Sequence, residues 1–158
     1  MNGLYVKILL LIHIMGAIIG LGPTMVFGIL GPRAKAAGPN GGVAIMESMV
    51  AIERALVFPV AMITQPVSGV LLIFATDLNQ GFFNHIWLWV AIILFIGILS
   101  LSFGVNNPAL HKMIDLAKGG KAMEPEFASL AAKVQRVGPL IVLMFLTVIF
   151  LMVMKPGG

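Results

Sequence analysis

A chain of 158 residues with 59% hydrophobic and only 10% charged residues is not a soluble domain, since such domains carry about 25% charged residues. At this length one domain is expected, and the composition makes it an all-α integral membrane protein whose first partner is the lipid bilayer. The absence of cysteine excludes disulfides and thiolate ligands, and the net charge of +4 fits basic loops beside a membrane and implies no nucleic-acid partner.

Four apolar runs stand out, at 8–30, 55–76, 86–105 and 137–154. They predict a polytopic four-transmembrane-helix bundle, a single domain over 1–158 with helices near 4–31, 43–77, 85–107 and 125–154. The first run carries no formal charge and exceeds the ~20 residues needed to cross a bilayer. Its one ionisable residue is His13. Gly16, Gly20, Thr24 and Gly28 follow at helical spacing and leave a nearly bare face, where a partner helix or a flat cofactor can approach the backbone. The run is too long for the core of a cleaved signal peptide, although Ala34-Lys35-Ala36 imitates a cleavage site.

Turn residues predict a loop over 31–42. Residues 43–54 read as an amphipathic lead-in to the second helix, with Glu47, Glu53 and Arg54 near the interface. Pro59 and Pro66 are expected to kink that helix and free carbonyls near Gln65. A short hairpin over 77–84 follows, and Phe82, Phe83, Trp87 and Trp89 read as interfacial anchors. The longest connection is 108–136, broken at Lys118-Gly119-Gly120-Lys121, with Pro125 suited to the first turn of a helix. Arg33, Lys35, Arg54, Lys112, Lys118, Lys121, Lys133 and Arg136 fall on one side, and Lys7 and Lys155 on the other. Positive-inside bias places both termini outside a bacterial cytoplasmic (inner) membrane.

At about 1.5 Å per residue, His13 lies roughly 13 Å below the outer face. Gln65, Pro66 and Ser68 share that depth on the second helix, and Met144 on the fourth. His85 is too high and His111 too low to pair with it. Two readings of His13 follow. In one, a neutral imidazole bonds Gln65 or Ser68 and ties helices together, an interaction of about 0.6 kcal/mol and at most about 1.7. In the other it is an axial ligand of a b-type haem, with Met144 or nothing opposite and Gly16 and Gly20 leaving room for the porphyrin. Composition and spacing alone favour the first. The eleven methionines are scattered and read as packing rather than as a copper relay. Arg33, Arg54, Arg136 and the polar residues at their level read as interfacial anchors and anionic-lipid contacts.

A set of short motifs runs through the whole chain. His13-Ile14-Met15-Gly16 opens it, Pro32-Arg33 closes the first helix, and Ile52-Glu53-Arg54 enters the second, which continues with Pro59, Thr64 and Gly69. Trp87-Leu88-Trp89 opens the third helix, and Met152-Val153-Met154-Lys155-Pro156-Gly157 ends the set. In this order and spacing the chain resembles a family of four-helix bacterial integral membrane proteins, similar in layout to HemJ-type protoporphyrinogen oxidases and more loosely to CopD-type copper-resistance membrane domains. The resemblance implies a b-type haem on His13, with Arg33 and Arg54 structural or site-lining. HemJ-type proteins carry a histidine and a lysine just after the tryptophan, where this chain has Trp89 and Ala91. That departure speaks against oxidase activity.

The expected function is therefore a haem-b-binding redox or electron-transfer membrane protein, with His13, Gly16, Gly20, Gln65 and Met144 around the cofactor and His13 on the iron. The alternative is a non-catalytic accessory subunit of a larger membrane complex, without a cofactor. Its interface would be the face of Gly16, Gly20, Thr24 and Gly28.

Overall fold

Side chains that are apolar around the whole circumference leave the backbone to satisfy its own polar groups, and each run is accordingly a helix. The computed structural model describes residues 3–78, 80 and 82–156, with no strand among them. The four helices are α1 (Gly3–Ala36), α2 (Asn40–Ala75), α3 (Ile86–Lys118) and α4 (Pro125–Met154). All four are long and apolar enough to cross a membrane. At 30 to 36 residues they measure roughly 45–54 Å, against a hydrocarbon core of ~30 Å. The bundle therefore extends beyond the bilayer.

The extension is largest at the basic end, where two predicted connections are mostly helical. The expected loop over 31–42 reduces to one turn at Ala37, because α1 continues through Pro32 to Ala36 and helix resumes at Gly38. Gly38 has φ +70°, which glycine adopts without steric cost, and a proline in the next first turn loses no hydrogen bond. The break expected at 118–121 is a turn over 119–124 and α4 begins at Pro125 as expected, but α3, expected to end near 107, runs on to Lys118. Asn107–Lys118 buries Ala109, Leu110, Met113 and Ile114 along one stripe, and that burial holds it helical. With Ala34, Met46 and Met49 these residues form a second core at the basic end. Its rim carries ion pairs between Lys112 and Glu126 and, at 2.6 Å, between Lys118 and Glu47.

Three turns of widened π-helix interrupt the spans, at Glu53–Val57, Val60–Thr64 and Ser102–Asn106. In each, the residue just before a proline donates its N–H five residues back: Phe58 to Glu53, Gln65 to Val60 and Asn107 to Ser102. Pro59, Pro66 and Pro108 follow directly. A proline ring presses on the carbonyl four residues back, and a wider turn relieves that clash without breaking the helix. The expected kinks in α2 are thus widened turns. Pro23, Pro32 and Pro139 lie inside helices with no such widening.

α1 packs along α2 and against α4, α3 packs on α4, and the basic ends of α2 and α3 meet. Leu21, Ile98, Ile141 and Phe145 form the core shared by α1, α3 and α4. At the other end Phe82, Phe83 and Trp89 cluster as expected. Trp87 does not join them as an anchor. It is only 3% exposed, with Lys155 Nζ 5.8 Å from its ring centroid.

Candidate functional site

His13 sits on α1 within the span and points at α2. Its Nδ1 lies 2.8 Å from Ser68 Oγ. Ser68 has a single hydroxyl proton, and its Oγ lies 2.5 Å from the Thr64 carbonyl, the usual back-bond of a helical serine. That proton is directed to Thr64, so Ser68 accepts from His13 Nδ1–H. In the neutral ring Nε2 then carries the lone pair. Among the described residues Nε2 has no hydrogen-bond partner. Gln65 completes the contact by donating from Nε2 to the His13 carbonyl at 3.1 Å. Ser68 and Gln65 are buried, while His13 is half-buried. Gly69 lies under the ring: a Cβ there would stand 3.4 Å from His13 Cε1, an ordinary contact distance.

Depth matching thus names two of the neighbours that the fold brings to His13. The third, Met144, packs elsewhere. Its Cε would be 2.6 Å from a Cβ on Gly97 of α3, and its side chain joins the Leu21–Ile98–Ile141–Phe145 core. The expected room beside Gly16 and Gly20 is also taken. A Cβ on Gly16 would meet Thr64 Cγ2 at 3.3 Å, and one on Gly20 would meet Val60 Cγ1 at 2.5 Å. These glycines seat α2. Thr24 Oγ1 donates to the Leu21 carbonyl within its own helix, and Gly28 faces open space. Val60, Thr64 and Gly69 were not legible as site residues, because which face of α2 meets α1 depends on the widened turns.

Three polar atoms are buried without a partner among the described residues: Gln65 Oε1, Trp87 Nε1 and Asn106 Oδ1. Gln65 Oε1 belongs to the side chain that holds the His13 carbonyl, so the site keeps one unused acceptor. At the basic end Glu53 is buried on the first widened turn of α2, facing Asn107 and His111 of α3. Phe58 of α2 and Phe103 of α3 meet edge to face, centroids 5.3 Å apart. Among the described residues no three histidine or acidic side chains converge on a metal-binding point.

No curated protein and no solved structure matches the chain. The similarity to HemJ-type and CopD-type proteins is not shown by these comparisons. A family profile described as a predicted integral membrane protein does match, over residues 7–156. That match spans nearly the whole sequence and agrees with the four candidate spans. The chain therefore belongs to the DUF2269 family of predicted integral membrane proteins.

Proposed function

We propose that the protein is an integral membrane redox protein that holds haem b through Nε2 of His13. One observation supports this: the Ser68 contact commits Nδ1–H and leaves the Nε2 lone pair without a protein partner. Axial histidines of haem are oriented in this way through the second ring nitrogen. The single donor fits; the glycine notch does not, because Val60 and Thr64 fill it. Haem, when bound, supplies a one-electron couple. The chain's own residues do the rest. Ser68 fixes the ring and its tautomer, Gln65 pins the backbone of His13, and the surrounding hydrocarbon keeps water away. The clustering of lysine and arginine at one end supports a topology with both termini outside, in a bacterial cytoplasmic membrane.

The test is an oxidised-minus-reduced visible spectrum of the detergent-purified protein beside His13→Ala. A Soret band with sharp reduced α and β bands, lost in the variant, is the expected result. A protein that stays colourless after reconstitution with haem overturns the proposal. A second reading, a non-catalytic accessory subunit without a cofactor, is favoured by the closed notch, in which His13, Gly16 and Gly20 serve to join α1 to α2. Co-purification with a larger membrane complex distinguishes that reading from a free-standing haem protein.

A further inference from the structure

Next to its contact with α2, α1 leaves a second face uncovered. A groove of about 370 Å³ runs between the helices, lined by Ile18, Gly22, Val26 and Leu30 of α1 and by Ile52 and Leu56 of α2. Nothing lies within 4 Å of a Cβ placed on Gly22, so the missing side chain opens the groove floor. Ile18, Val26 and Leu56 are 60%, 49% and 42% exposed, and they form its apolar walls.

The length of the groove limits what can fill it. From Ile18 to Leu30 it covers roughly 18 Å, close to the ~15 Å depth of one leaflet and well short of the ~30 Å a crossing helix needs. Charge marks one end. Arg33 follows Gly22 by eleven residues and Val26 by seven, within about 20° of both on a helix of 3.6 residues per turn. It therefore stands on the groove side, roughly 5 Å beyond Leu30, at the level of lipid phosphates. Arg33 is exposed and makes no ion pair among the described residues. A single-leaflet apolar channel ending at a free guanidinium is complementary to an acyl chain below an anionic headgroup.

We propose that this groove binds one acidic phospholipid, with an acyl chain between α1 and α2 and the headgroup phosphate on Arg33. The test is native mass spectrometry of the full chain in detergent, titrated with phosphatidylglycerol and with phosphatidylcholine of the same acyl chains. Phosphatidylglycerol should bind about five-fold more tightly, the effect of one basic residue at an anionic surface. Arg33→Gln should abolish that preference. Arg54→Gln should retain it, since Arg54 lies two residues from both Ile52 and Leu56 and so on the other side of α2. Gly22→Leu fills open space and should remove the adduct of both lipids while leaving the helical circular dichroism unchanged. Equal binding of the two lipids, or an adduct that survives Gly22→Leu, overturns the proposal. So does loss of a second protein copy in Gly22→Leu in place of loss of lipid, which would make the groove a protein interface.

Discussion

At Gly16 and Gly20 the surface of α1 is covered by Val60 and Thr64, whereas at Gly22 and Gly28 nothing lies within 4 Å of where a side chain would begin. Both stretches are glycine-rich parts of one helix, and both read alike in the sequence. The difference is angular. Residues four apart advance by about 40° around a helix, so a stripe through Gly16, Gly20, Thr24 and Gly28 turns by roughly 120°. The first two glycines face α2, and the last has rotated away. A small-residue stripe shows that close approach is possible; the crossing of the partner helix decides where it happens.

The contrast can be broken most strongly at its tightest point. Gly20→Ala places a methyl 2.5 Å and 2.8 Å from Val60 Cγ1 and Cβ, atoms of a stiff β-branched side chain. Overpacking of this kind costs about 1–3 kcal/mol, read as a lower thermal midpoint in detergent. An unchanged midpoint would mean that α1 and α2 stand further apart. Ser68→Ala removes the His13 contact and should cost about 0.6 to 1.7 kcal/mol, the range of interhelical hydrogen bonds in membranes. In the haem-loaded protein it should also shift the reduction potential, which a purely structural contact would not do. On the open side, Gly28→Ala should cost nothing and gain up to about 1 kcal/mol from helix propensity. A loss there equal to that of Gly20→Ala would erase the distinction between the two faces. The smallest effect is expected at Gln65→Leu. It gives up the bond to the His13 carbonyl but also removes a buried carbonyl oxygen without a partner, and the two changes offset. A loss larger than that of Ser68→Ala would show that a water or ligand already donates to Oε1.

Much of the His13 site could be read in advance because depth along a helix is a linear count. Ser68 and Gln65 lie at the level of His13 whatever the bundle order, and both meet it. Met144 shares the depth but not the direction, and direction depends on the rotation of α4 about its axis. Trp87 fails as an interfacial anchor for the same reason: its level is right, but its side faces inward. The loop expected over 31–42 and the end of the third helix expected near 107 differ from the structure because glycine and proline mark turns only where no packing opposes them. Met46, Met49, Leu110 and Met113 bury enough apolar surface together to hold both stretches helical.

By itself the sequence determined four membrane-crossing helices, a basic end, and one imidazole at a depth shared with Ser68 and Gln65. Hydropathy and the rise per residue act along one dimension, so these features needed no knowledge of neighbours. The tertiary structure alone decided that α2 closes the notch at Gly16 and Gly20, that Met144 turns to α3, and that a groove between α1 and α2 stays open from Ile18 to Leu30. Each of these depends on helix rotation and crossing, and the widened turns before prolines in α2 and α3 add a local shift of phase in those two helices. The same shift in helical phase changes which side chains face inward, and no pattern local to the sequence records it.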